Sequence, residues 1–135
     1  MSTMTNDALI DAMPFARSLG MSLPKAAPDE VVATLEWTPE RCTAGGVMHG
    51  GVVMTLADSA GALCAFLNLP EGAVTSTIES KTNFFRAVKG GTARAVARPL
   101  HVGRSTIAVR TEVFDDDDRL VAHVVQTQAV VNAGG

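Results

Sequence analysis

Apolar positions recur at helical spacing near the start of the chain, run almost unbroken through its middle, and alternate with polar ones through the second half. Between Asn6 and Met13, the residues Leu9, Ile10 and Met13 fall on one side of a short amphipathic helix. Pro14 lacks an N–H and its ring clashes with a preceding turn. It therefore ends or kinks that helix and opens a second short turn over Phe15 to Leu19, closed by Gly20. Met21 to Leu23 reads as a short strand, Pro24 to Asp29 as a turn-rich connection, and Glu30 to Trp37 as a strand by its β-branched content. Pro39 to Met48 is a loop carrying Gly45 and Gly46.

A long helix follows, from about Gly51 to Asn68, stopped by Pro70-Glu71-Gly72. At 1.5 Å per residue it would span roughly 27 Å. It is apolar on nearly every face, which predicts burial all round. The period then changes to two. Val74 to Phe85, Thr92 to Leu100, Ser105 to Phe114 and Leu120 to Val131 are strand candidates. Lys89-Gly90-Gly91, Val102-Gly103-Arg104 and Asp115-Asp116-Asp117-Asp118 separate them, and turns this short favour antiparallel neighbours. A fully buried helix with five or six antiparallel strands is an α+β layer structure in which a sheet wraps the helix.

Composition narrows the function. The 135 residues suit one domain over 1–135 with a sizeable core, and 47% apolar against 19% charged residues excludes a disordered chain. A net charge of −3 argues against a general nucleic-acid binder. Cys42 and Cys64 form no disulfide framework, and no Cys/His cluster has zinc spacing. The acidic run lacks the Gly and distal Glu of a calcium loop, and reads as a solvated hairpin tip. Met1 to Leu19 does not read as a signal peptide, and Asp58 and Ser59 interrupt the long apolar run, which argues against a membrane span. The simplest location is the cytoplasm.

Candidate chemistry centres on His49-Gly50-Gly51 and Asp58. A helix N-terminus presents unpaired N–H groups, and a glycine there lets a carbonyl oxygen approach the Gly50 N–H and be polarised. Glycine is also ordinary structural punctuation. Asp58 is a carboxylate where the pattern calls for an apolar residue, and burying an unpaired carboxylate is costly. It either serves chemistry, or bonds neighbouring backbone or shares a solvent-facing stripe with Thr55 and Ser59. Eight residues of helix separate Gly50 from Asp58, roughly 12 Å. If both act on one carbonyl they come from different subunits, at a two-fold homodimer interface. Histidine is a common general base, but His49 has no nucleophile beside it, and shaping of the helix entry is its simpler role. A thiol pair of Cys42 with His49 has no local feature to make a thiolate. Arg86, Lys89 and Arg104 lie in loops where a phosphate-bearing ligand would need charge.

The stretch HGGVVMTLADSAGA resembles the signature of hotdog-fold acyl-CoA thioesterases of the PaaI-like and 4-hydroxybenzoyl-CoA thioesterase type. NFFRAVKGG and RPLHVGRSTIAVRTEVFDDDDRLVAH are similar to the same family, the latter to the branch with 1,4-dihydroxy-2-naphthoyl-CoA thioesterase. The resemblance covers roughly Glu30 to Val131. It implies a hotdog fold, a long helix wrapped by an antiparallel sheet. It also implies homodimers, often paired into tetramers, with sites between subunits. By position it makes Asp58 the catalytic acid, Gly50 the carbonyl-polarising glycine and His49 the motif histidine. It places Thr77 at the acyl site. Phe84 to Arg86 (with Phe85) and His101, Gly103, Arg104 and Ser105 fall in segments that hold CoA, Arg86 and Arg104 as phosphate contacts. One position departs: related enzymes often carry Asn or Gln six residues before the motif histidine, where this chain has Thr43, whose hydroxyl is shorter and offers different donors.

The reading is therefore hydrolysis of an aryl- or medium-chain acyl-CoA to the free acid and CoA, with no metal or redox cofactor. Met54, Leu63, Phe66 and Phe85 are candidates for the acyl pocket, or plain core. The rivals are a hotdog protein that binds acyl-CoA without cleaving it and, last, a hotdog dehydratase or hydratase. The segment before Gly20 is too short for a separate DNA-binding domain.

Overall fold

The computed structural model describes residues 4–132. The expectation of one domain over 1–135 also takes in residues 1–3 and 133–135, which lie outside the described residues. The amphipathic start forms two helices, α1 (Asn6–Asp11) and α2 (Pro14–Leu19), broken as Pro14 requires. Thr5 caps α1 by accepting from the Ala8 N–H at 3.1 Å, and Gly20 ends α2 in the left-handed region at φ 90°. A Cβ on Gly20 would also lie 2.6 Å from the Arg41 guanidinium, which donates to the Leu19 carbonyl.

The next strand, β1 (Ser22–Ala27), is longer than its apolar pattern suggests. The turn expected from Pro24 to Asp29 is confined to the end of that span. Pro24 is tolerated because β1 is an edge strand and its pairing with β2 (Glu30–Glu36) is irregular between Ser22 and Lys25, where no ladder N–H is required. The loop to the long helix contains 3₁₀ turns at Pro39–Arg41 and Ala44–Gly46. Its end is fixed by the Met48 N–H donating to the Val88 carbonyl and the His49 N–H to the Arg41 carbonyl, both at 2.8 Å.

Helix α3 (Gly50–Leu67) lies on a six-stranded antiparallel sheet. Val53, Leu56, Ala57, Ala60, Leu63 and Cys64 face the sheet and are buried. Burial all round does not hold for the single chain. Met54 and Phe66 are 41% and 43% exposed, because the sheet covers one side and α2 reaches only part of the other. The remaining strands are β3 (Ala73–Phe84), β4 (Thr92–Val102), β5 (Thr106–Phe114) and β6 (Leu120–Asn132), in sheet order β1-β2-β4-β5-β6-β3. The expectation that short turns join neighbours holds for β4-β5 and β5-β6 and fails for β3-β4. The segment through Lys89-Gly90-Gly91 crosses past the start of α3 with Val88 buried, and β3 pairs instead with β6 as the other edge of the sheet. The acidic run is the β5-β6 tip. Asp115 accepts from the Asp117 and Arg119 N–H groups and from the Arg119 side chain, and these bonds hold its carboxyl below the usual carboxylate range.

Candidate active site

Asp58 lies midway along α3, on the side the sheet leaves uncovered. It is half-buried in a groove of about 640 Å³ between α2 and α3, lined also by Met13, Phe15, Met54, Thr55 and Ala62, with Ser80 from β3. This lining is largely apolar, and loss of water raises the Asp58 pKa above the ordinary aspartate value. Polar neighbours oppose that rise: Gln126 Nε2 donates to Asp58 Oδ1 at 3.3 Å, and the Thr77 hydroxyl also favours the charged form. Asp58 therefore neither bonds neighbouring backbone nor merely marks a polar stripe. Thr55, its neighbour on that stripe, instead donates to the Gly51 carbonyl at 2.9 Å.

An irregularity in β3 makes this arrangement possible. Thr77 pairs with Gln128 and Glu79 with Thr127, so Ile78 is an extra, unpaired residue. Side chains alternate along a strand, and Thr77 and Ser80 would otherwise fall on opposite faces. The bulge turns both toward the helix, opposite Gln128 and Gln126 respectively. Behind Asp58, Gln128 Nε2 donates to Thr77 Oγ1 at 2.7 Å and Gln128 Oε1 accepts from the Thr75 hydroxyl at 3.1 Å. Sequence reasoning missed both glutamines. Their signal was present: Val124, Gln126, Gln128 and Val130 share the helix-facing side of β6, and two amides on an otherwise apolar face are out of pattern.

Gly50 is the first residue of α3, and among the described residues nothing accepts its N–H. His49 is the N-cap: its Nδ1 accepts from the Gly51 N–H at 2.8 Å, a role in helix entry that leaves the Gly50 N–H free. A Cβ on Gly50 would lie 3.3 Å from the Phe84 ring, so a larger residue here would need that ring to give by a few tenths of an ångström. The Cys42 thiol donates to the Thr38 carbonyl at 3.3 Å, which leaves no thiol pair with His49. Gly50 lines a second groove of about 370 Å³ with Thr43, Phe85 and Arg86. One chain thus brings Gly50, Thr43, Phe85 and Arg86 together, and holds Asp58 and Thr77 apart from them.

The other CoA candidates lie elsewhere again. His101, Gly103, Arg104 and Ser105 are at the β4-β5 tip, where the Ser105 carbonyl accepts from Val130, whereas Arg86 donates its N–H to Val121. Nine residues of β6 separate those attachment points, roughly 30 Å. In the tip, a Cβ on Gly103 would lie 2.8 Å from His101 Nε2, so the imidazole folds over the glycine. Of the acyl-pocket candidates, Met54 lines the Asp58 groove, Leu63 and Phe66 an adjoining apolar hollow, and Phe85 the Gly50 groove.

Residues 45–122, which contain Gly50, Asp58 and Thr77, match the Thioesterase superfamily. Rv1847 from Mycobacterium tuberculosis is 33% identical over 113 residues, covering 82% of this chain and 81% of that protein. The proofreading thioesterase EntH from Cronobacter turicensis is 28% identical over 101 residues, 75% of this chain and 74% of its own length. The crystal structure of the thioesterase HI1161 from Haemophilus influenzae superposes with a TM-score of 0.93 at 26% identity, covering 99% of this chain and 95% of that one. The six-stranded antiparallel sheet with its long helix is the hotdog fold, and the chain belongs to the Thioesterase superfamily as a thioester hydrolase.

Proposed function

We propose that the protein hydrolyses acyl-CoA thioesters at sites shared between two subunits, with Asp58 of one and Gly50 of the other acting on one carbonyl. The observation that carries this reading is the separation of the two groups within a chain: Asp58 opens into the α2-α3 groove and Gly50 into another. Two antiparallel α3 helices related by a two-fold axis would bring each Asp58 to the partner's helix start. The Gly50 N–H would then stabilise the oxyanion as the tetrahedral intermediate forms. Asp58 would attack the thioester carbon or take a proton from water, both of which require it ionised. Exposed Val74, Ile78 and Phe84 on the edge strand β3 suit pairing with a second copy of that strand. Arg86, beside Gly50, and Arg104, at the far tip, are the proposed contacts for CoA phosphates, supplied by different subunits. The apolar lining suits an aryl or medium-length acyl group. The chemistry needs no metal or redox cofactor, and the cytoplasm, where acyl-CoA is made and used, is the proposed location.

The test is thiol release from a panel of aryl- and alkyl-CoA thioesters, wild type beside Asp58→Asn. Asn keeps the acceptor for Gln126 but is neither base nor nucleophile, so turnover should fall by about 100-fold or more with the fold retained. Near-wild-type turnover in Asp58→Asn would refute the mechanism. Acyl-CoA binding with no thiol release from any thioester would favour a binding protein.

A further inference from the structure

Gln126 is wholly buried on β6, and only its Nε2 has a partner, Asp58. Its Oε1 is buried with no hydrogen-bond partner. An amide that served the core alone would satisfy both ends or be replaced by an apolar side chain. Gly61 makes the unpaired orientation feasible: a Cβ there would fall 1.9 Å from Gln126 Oε1 and 2.6 Å from its amide carbon. Gly61 is one helical turn beyond Asp58, is buried, and sits where alanine would favour the helix. A helix glycine without positive φ, a buried amide with a bare oxygen, and a half-buried carboxylate are thus parts of one arrangement.

We infer that Gln126, given its space by Gly61, is a positioning residue that holds the Asp58 carboxylate toward the α2-α3 groove. Gln128 acts at one remove: it donates to Thr77 Oγ1, which leaves the Thr77 hydroxyl proton free for the carboxylate. The inference rests on Asp58 being the reactive group. An ionised carboxylate only accepts, which requires the Gln126 amide to present Nε2 and leaves Oε1 against Gly61. Both donors favour the charged form that attack or proton abstraction needs, and they oppose the desolvation that disfavours it. Among the described residues lining the groove from α2, α3 and β3, Asp58 is the sole titratable group, so its ionisation is set by these donors and by burial.

The experiment compares kcat and KM against pH for wild type, Gln126→Leu, Gly61→Ala and Asp58→Asn, with melting temperatures. Gln126→Leu removes the donor and the bare oxygen together. It should leave KM within about twofold, move the acid limb of kcat upward by about one pH unit, and melt no lower than wild type at acid pH, where Asp58 is neutral. Gly61→Ala never touches the carboxylate, yet should produce the same displacement by pushing the amide aside. Gly61→Ala/Gln126→Ser relieves the clash without restoring the donor, and should fold as wild type with the limb still displaced. A merely structural role predicts the opposite pattern, a lowered melting temperature in Gln126→Leu with the limb in place. An unmoved limb in both Gln126→Leu and Gly61→Ala, with Asp58→Asn inactive, would overturn this inference alone. An active Asp58→Asn would instead overturn the proposed mechanism beneath it.

Discussion

At the scale of single residues, Asp58 sets function against stability. Its pKa is raised in the folded chain, chiefly by burial, so the unfolded chain ionises it more readily. For a carboxyl raised in this way, stability falls as pH rises from the unfolded value through the folded one, and the loss persists above it. Asp58→Asn removes that loss and keeps an acceptor for Gln126. The variant should therefore melt above wild type at neutral pH, with the gap closing below the unfolded aspartate pKa near 3.8. Melting curves across pH check this, and a variant less stable than wild type at neutral pH would contradict it. Gly50 and Asp58 stood out in the sequence because each breaks the pattern of an apolar helix, one a glycine and the other an acid, whereas His49 was read by its place before them, and the structure has it as the helix N-cap. Gln126 and Gln128 were not read, because their meaning depends on which face of β6 meets α3, and strand alternation fixes a face without naming its neighbour.

At the scale of elements, β3 carries the most exposed apolar surface for its length. Val74, Ile78, Phe84 and the adjoining Phe85 are 51%, 61%, 49% and 61% exposed in the single chain. An edge strand with this surface needs a cover, and natural monomers blunt such edges with charge, most often lysine. If β3 forms the proposed dimer interface, Ile78→Lys should leave the protein monomeric and abolish turnover together, read by scattering mass and thiol release. A variant that remained oligomeric and active would show that β3 does not form the interface. The helix and the later strands were legible because their periods differ, 3.6 against 2. The reach of β1 and the partner of β3 were not. Pro24 reads locally as a turn, and only edge placement makes it tolerable in a strand. Lys89-Gly90-Gly91 has hairpin composition, yet the chain crosses there because β2 and β5 hold both places beside β4, and β3 lies at the far edge beside β6.

For the whole molecule, a single chain holds Asp58 and Gly50 in separate grooves, and the proposed site is complete only with a second copy. Its sheet buries one side of α3 and leaves Met54, Phe66 and the Asp58 groove open, where the sequence had predicted a helix covered on all sides. That prediction took an apolar composition to mean cover within one chain; in the proposed dimer a second copy would supply that cover. If the sites are shared as proposed, the reaction is a property of the dimer, and complementation tests it. Gly50→Pro deletes the N–H at the first helical position, where proline is otherwise well accommodated. Asp58→Asn and Gly50→Pro should each be inactive alone. Co-expressed and randomly assorted, they form mixed dimers in which one site combines an intact Gly50 from one chain with an intact Asp58 from the other. About a quarter of wild-type turnover should return. No recovery in verified mixed dimers would mean that Gly50 and Asp58 do not act across subunits.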